Sequence, residues 1–466
     1  MFTVIVLISF SFFLSLKNKL YFFCFLPIIL FLNYLFFYLV MNTNYFDGDF
    51  LDRTLETYNL NSKNIKIDFK LVDKITNSIS VFYIQIIICS YIFSKTLVIK
   101  KLSKKLLQTL NQSLFKLNLN EISFSTYKDQ KNKLNNFEIF LLIIIIIHAI
   151  SFYSSDFILF HKEYLFINKQ EYYNLYPKLS TTLTRLLTAV FPVFFLSRIF
   201  KSEIQFFRDP TNLLVFSHSI ILYSAVNSRW VFVYLTAFTL YFFIKIYQDS
   251  KNKISKKLFS LLILFFGGYL SIISFSKSLF FRSRLSGLGT LLFTLKDIQF
   301  SINSSLNNIL TSTLSSLFVI YSGIDLNIQT SLKYDIISLI PIPSALIGAN
   351  KSILQQVTRV SNFAPSPTYV QIYQNNYFYE LIIIIVFGFG LSTIICERKI
   401  LRRFKNQKSK ILSFYPNAYE ILITFILYYG FQYYSRTVMT YYWWTILFLI
   451  IFPLILGKFL ISKENN

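Results

Sequence analysis

Three cysteines, three histidines, ten prolines and eleven glycines in 466 residues leave little material for disulfide frameworks, metal clusters or glycine-rich phosphate loops. Cys24, Cys89 and Cys396 sit in or beside apolar runs with neither bridge nor ligand spacing, and read as packing residues. His161 and His218 have no partners at metal-ligand spacing, and His148, set in the run Ile143 to Ala149, reads as a packed or hydrogen-bonded histidine. No phosphate loop with its lysine, nucleophile elbow or Cys/His cluster appears, which argues against cytosolic nucleotide chemistry. No cofactor or metal is expected. Acidic residues are also scarce: 22 Asp and Glu face 46 Lys and Arg, for a formal charge of +24. In a soluble protein that excess would suggest nucleic acid. Here many of the lysines fall in short loops, where positive charge sets membrane orientation, so no nucleic-acid partner is expected.

What the chain has in abundance is apolar surface: 54% of its residues are hydrophobic and 19% aromatic, with 54 Phe and 32 Tyr. The wealth of Phe, Tyr, Ile, Asn and Lys points to an AT-rich coding bias, so part of this composition is genomic. The length of the apolar runs is not explained that way. About eleven of them, within a range of about 10–14, approach the thickness of a bilayer core, which implies an all-α polytopic integral membrane protein. Spans are predicted near residues 2–16, 20–40, 75–94, 137–155, 179–197, 212–228, 230–247, 258–276, 380–396, 416–435 and 440–457, as one membrane domain over 1–466. The first segment reads as a retained helix rather than a cleaved leader.

Lys and Arg accumulate on alternate connections. Lys17 and Lys19, nine lysines from Lys95 to Lys133, Arg198 to Arg208, Lys245 to Lys257, Arg398 to Lys410 and Lys458 form the set assigned to the cytoplasm. Residues 42–74, 156–178, 227–229, 277–379 and the turn at Arg436 are then external. The 277–379 connection is long enough to suggest function. Within it Asn307 to Ile324 and Tyr334 to Gly348 are moderately apolar, as expected of short helices that lie on or dip into the membrane.

Arginines on the outer side lack a topological role. Arg282 and Arg284 follow the eighth predicted span, Arg436 lies in the last external turn, and Arg185 falls inside the fifth span. Guanidinium groups pair bidentately with phosphate oxygens, although snorkelling onto ordinary headgroups would account for the same positions. Lys351 and Arg359 follow Ile340-Pro341-Ile342-Pro343, and Asn375-Asn376-Tyr377 leads into Glu380. Asp297, Asp325, Asp335 and Glu380 are candidate proton acceptors, or simple caps and turn residues. Asp47-Gly48-Asp49 resembles the acidic pair of polyprenyl-phosphate-sugar glycosyltransferases, and a turn with Asx caps explains it equally well. Tyr441-Tyr442-Trp443-Trp444 reads as an interfacial aromatic belt, and Gly267-Gly268 and Gly388-Phe389-Gly390 as points of close helix approach.

From Tyr334 to Cys396, with the Pro341/Pro343 pair, Lys351, Ser366-Pro367 and the Tyr373 to Tyr379 entry into a glycine-bearing span, the chain resembles the bacterial O-antigen polymerase family, the Wzy-type oligosaccharide repeat-unit polymerases. Asn375 and Asn376 depart from the acidic residue or glycine common there. The resemblance implies an enzyme of the inner membrane that lengthens polysaccharide on undecaprenyl diphosphate at the periplasmic face. Arg282, Arg284, Arg359 and Arg436 would stabilise the departing diphosphate and Glu380 would assist. Arg185, Lys351 and Tyr377 would contact substrate. It further implies a lipid-linked oligosaccharide and membrane lipid as partners, with a regulator protein that sets chain length. A polyprenyl-phosphate-sugar glycosyltransferase, a polysaccharide ligase and a lipid-linked oligosaccharide flippase are the competing readings.

Overall fold

The computed structural model describes residues 2–42, 68–115, 136–153, 209–225, 316–325, 367–374, 377–403, 414–431 and 435–447, with single positions within 187–194 and 254–267 and at 339 and 450. Among these residues every regular element is a helix and no strand occurs. The helices are α1 (Phe2–Lys17), α2 (Phe25–Asn42), α3 (Phe69–Phe93), α4 (Leu97–Phe115), α5 (Asn136–Tyr153), α6 (Pro210–Ala225), α7 (Ser316–Asp325), α8 (Thr368–Gln374), α9 (Tyr377–Arg403), α10 (Phe414–Tyr429) and α11 (Ser435–Ile446). Eight of the eleven predicted spans coincide with one of these helices. The predicted spans at 179–197, 230–247 and 258–276 lie largely outside the described residues.

Among the described residues two helices are long and apolar enough to cross a membrane: α3 and the Tyr377–Leu401 part of α9, each 25 residues. At 1.5 Å per residue, 25 residues extend about 37 Å, enough for a hydrocarbon core. The chain divides into two compact units, one made of 1–123 with 311–466 and the other of 124–310. In the first, α9 packs along α3, α4 and α10, and α1 lies against α2 and α3.

The sidedness of α1 inverts that of a helix in water. Its buried face carries Val4, Ile8, Ser11 and Ser15, while Phe2, Val6, Phe10 and Phe13 point outward. Ser11 and Ser15 return their hydroxyls to the carbonyls of Ile8 and Ser11, each at 2.8 Å, so they pack as small residues without an unpaired donor. α3 repeats the device, with buried Thr76 and Ser80 bonded to the carbonyls four residues back. Ile88 and Ile92 of α3 and Leu381 and Ile385 of α9 are exposed. Outward stripes of this kind are expensive in water and natural in lipid.

Gly388 and Gly390 set the approach of α9 to its neighbours. A Cβ at Gly388 would lie 2.8 Å from Cys89 Sγ on α3, and one at Gly390 2.5 Å from the Tyr442 hydroxyl on α11. The expectation of close approach there holds. Tyr442 itself departs from the belt reading. It is buried against α9, ring centroid 4.4 Å from that of Phe387, and donates to the Val386 carbonyl. Trp443 Nε1 donates to the Leu339 carbonyl at 2.7 Å, so this aromatic run serves the interior as well as the surface.

α4 and α7 lie in segments where no crossing was predicted. α7 falls within the apolar stretch from Asn307 to Ile324, apart from its last residue. All of Ser316 to Gly323 is buried, on every side of the helix, and α7 packs against α2, α3 and α8. Ten residues reach only about 15 Å, half a bilayer core. A short helix with no polar face is stable only where protein surrounds it, so α7 dips into the bundle instead of lying on its surface.

Candidate functional site

At one end of the first unit, α2, α3, α7 and α8 meet around Asp73. The α2 phenols of Tyr34 and Tyr38 lie one turn apart, with ring centroids 4.8 Å from each other. Both donate to Asp73 Oδ1, at 2.7 and 3.1 Å. An i, i+4 pair on a helix presents two side chains to one spot, which is what a single carboxylate oxygen with two lone pairs can use. Asn33, adjacent to Tyr34, donates from Nδ2 to the Ser316 hydroxyl at 2.9 Å and fixes the start of α7. Asp68 caps α3 by accepting from the Lys70 amide at 2.9 Å, and its own amide donates to the Tyr321 hydroxyl of α7 at 3.0 Å. Gln374 Nε2, at the end of α8, donates to the carbonyls of Gly323 and Ile324 at 3.3 and 3.2 Å, satisfying acceptors at the end of α7. The Lys74 ammonium lies 5.8 Å from the Tyr373 ring centroid.

Chemically, this is a carboxylate oriented by two phenols on an aromatic wall that includes Phe69. Such a wall can hold hydroxyl groups by hydrogen bonds and accept a proton from one of them. Sequence reasoning missed Asp73, Tyr34, Tyr38 and Tyr321, because Asp73 was counted only as part of an external connection. The Tyr34/Tyr38 spacing was the available signal.

The predicted site residues fare unevenly. Glu380 lies in the first turn of α9, partly buried, and Tyr377 opens that helix with 86% of its surface exposed. Arg436 falls in the first turn of α11, with its side chain outside the description. Asp325 is the exposed last residue of α7. Arg282, Arg284, Arg359, Arg185, Lys351, Asp47, Asp49, Asp297, Asp335 and His161 all lie outside the described residues.

A second polar centre lies where the connection between α1 and α2 meets α9 and α10. Arg398 Nη2 pairs with Glu420 Oε2 at 2.5 Å, with the two side chains 7% and 0% exposed. Glu420 Oε1 accepts from the amides of Phe22 and Phe23, at 2.9 and 3.0 Å, placing a carboxylate before the N-terminus of α2. Arg398 also donates to the Lys19 carbonyl and stacks over Tyr21, its guanidinium carbon 5.2 Å from the ring centroid. Lys19 has φ of 65° and closes α1: its amide reaches the Leu16 carbonyl and that of Leu20 reaches Ser15, both at 2.9 Å. That is the Schellman pattern, with lysine in the left-handed position that glycine usually takes. Beside Arg398 lies Glu397, fully buried, whose carboxylate oxygens have no hydrogen-bond partner among the described residues. Arg398 had been counted with the cytoplasmic loop residues, and the structure instead continues α9 through it and buries it.

In the second unit, His148 Nδ1 lies 3.2 Å from His218 Nε2, and His218 Nδ1 lies 3.2 Å from the Tyr153 hydroxyl. His148 is thus hydrogen-bonded, as its sequence setting suggested, but its partner is 70 residues away. Among the described residues no group of three or more His, Cys, Asp and Glu is placed to hold a metal ion. The three cysteines are free, and those of Cys24 and Cys396 donate to the carbonyls of Leu20 and Ser94 at 3.3 and 3.1 Å.

No protein-family model, curated protein or solved structure matches this chain. The regular elements of the described residues are all helices, two of them able to span a bilayer, with a polar junction at one end of the larger unit.

Proposed function

We propose that the chain is a multi-pass enzyme of the bacterial inner membrane that joins lipid-linked oligosaccharide repeat units into O-antigen or capsular chains at the periplasmic face. The observation that carries this reading is the junction around Asp73. It joins Asp68, near the end of the 42–74 connection, to Tyr321 within the 277–379 connection, two segments that alternate-charge counting puts on the same external side. The outward apolar stripes of α1, α3 and α9 support the bilayer setting. The chemistry is taken from the resemblance read in the sequence of residues 334–396.

In the proposed reaction, a hydroxyl of the acceptor's non-reducing sugar attacks the anomeric carbon of the donor chain. The new glycosidic bond forms as the carbon–oxygen bond to diphosphate breaks, and undecaprenyl diphosphate leaves with the bonding pair. Asp73, oriented by Tyr34 and Tyr38, accepts the hydroxyl proton. Arg282, Arg284, Arg359 and Arg436 offset the charge that develops on the diphosphate, a role in which one oriented donor is worth about a hundredfold in rate. The resemblance gives Glu380 a catalytic role and Arg185, Lys351 and Tyr377 a role in binding substrate.

The test is complementation of a strain lacking the gene, with surface polysaccharide resolved by length. Asp73→Asn, Arg282→Ala and Arg436→Ala should insert normally yet leave single repeats on lipid, and Tyr34→Phe should shorten the chains. Wild-type length distributions in well-expressed variants would overturn the residue roles. Untransferred full-length polymer in the deletion strain would indicate a ligase instead, and cytoplasmic accumulation of lipid-linked repeats a flippase.

A further inference from the structure

At the far end of α3 from Asp73, three ammonium groups from three parts of the chain gather around one phenol. The Lys95 Nζ atom, just past the end of α3, lies 4.9 Å from the centroid of the Tyr91 ring, and Lys399 Nζ of α9 lies 5.6 Å from it. Lys17, the last residue of α1, is close enough to act electrostatically on the same phenol. All three lysines are exposed, and among the described residues no carboxylate forms an ion pair with them. The nearby Glu420 is already committed to Arg398. Topology alone needs lysines on this side of the membrane. It does not need three of them to converge, which raises the energy of the empty site by mutual repulsion.

The surface running from this cluster is apolar. Leu16 of α1 and Ile88 and Ile92 of α3 are exposed on two helices in mutual contact, and Leu97 and Val98 at the start of α4 are each 72% exposed. Lys100, Lys101, Lys104 and Lys105 extend the positive charge along the exposed side of α4, while Ile99, Ser103, Leu106 and Leu107 are buried. Eighteen residues of α3 separate Asp73 from Tyr91, about 27 Å along the axis, close to the thickness of a hydrocarbon core. Positive charge therefore sits about one bilayer thickness from the candidate site, at the end of an apolar strip.

We propose that Lys17, Lys95 and Lys399, with the Tyr91 hydroxyl, bind the phosphate of an anionic phospholipid of the inner leaflet, whose acyl chains lie along α1 and α3. A soluble phosphate or nucleotide would use the cations and leave the strip idle, whereas a phospholipid uses both. The inference rests on the membrane reading and is independent of the polymerase chemistry.

The full-length protein in nanodiscs of mixed phosphatidylcholine and phosphatidylglycerol provides the test. After detergent extraction, the lipids that remain bound are quantified by mass spectrometry. The native protein should retain phosphatidylglycerol preferentially. Each of Lys17→Gln, Lys95→Gln and Lys399→Gln should weaken the preference by about fivefold, and the triple variant should abolish it. Lys70→Gln/Lys74→Gln, at the opposite end of α3, should retain it. An unselective native protein, or a triple variant with native melting temperature and undiminished preference, would overturn the site. Displacement of the bound lipid by inorganic phosphate at matched ionic strength would reassign it to a soluble anion. Absence of the protein from the membrane fraction would instead defeat the membrane reading itself.

Discussion

Separating the two members of the Arg398–Glu420 pair tests the interior of the larger unit most directly. Both side chains are buried, so deleting either leaves a buried charge without its ion-pair partner, a change that typically costs about 3–5 kcal/mol. The two deletions are not equivalent. In Arg398→Leu, Glu420 still accepts from the amides of Phe22 and Phe23. In Glu420→Leu those amides lose their acceptor, at about 1–3 kcal/mol each, on top of the lost ion pair. Glu420→Leu should therefore be the more damaging, and the double variant should cost much less than the sum of the singles, because it removes both charges and strands only the amides. Thermal unfolding of detergent-purified protein, followed by tryptophan fluorescence, reads the order. Equal effects of the two single variants, or strict additivity in the double, would refute the geometry.

Gly390→Ala should destabilise by about 1–3 kcal/mol through overpacking, since its Cβ would meet the Tyr442 hydroxyl at 2.5 Å. Tyr442→Phe should partly rescue it in the same melts. Lys19→Gly should raise the melting temperature, the left-handed conformation at φ of 65° costing a lysine roughly 1 kcal/mol that glycine does not incur. A lower melting temperature would mean the lysine side chain matters more than its backbone. Glu397→Gln preserves shape while removing a buried carboxylate without hydrogen-bond partners among the described residues, so it should be neutral or stabilising. A loss of more than about 2 kcal/mol would reveal an ionic role for Glu397.

Helix positions were legible because apolar runs carry their own signal: α3, α5, α9 and α10 begin and end within a few residues of the predicted spans, apart from the longer ends of α3 and α9 and the shorter end of α10. The short buried helix at 316–325 was foreshadowed by its apolar, serine-rich composition. Pairings were another matter. Arg398 looks like any loop arginine until Glu420, on the next helix, is seen beside it. The meeting of His148 with His218, of Asp73 with Tyr34 and Tyr38, and of Tyr442 with the Val386 carbonyl depends on which helices are neighbours, and a single sequence carries no record of that. Aromatic residues were doubly ambiguous, because a tyrosine suits an interface and a protein interior alike.

The elbow at Lys19 to Phe23 has a consequence for how the polypeptide is made. The Phe22 and Phe23 amides and the Lys19 carbonyl pair with Glu420 and Arg398, so the Phe22 amide must wait for an acceptor 398 positions further along. The first two helices emerge from the ribosome long before that acceptor exists. During most of synthesis this bend is held by local turns alone and stays open to quality-control proteases. A product truncated before α10 would keep its leading helices yet lack the latch that closes them, so shortened products should be cleared quickly while the finished chain persists.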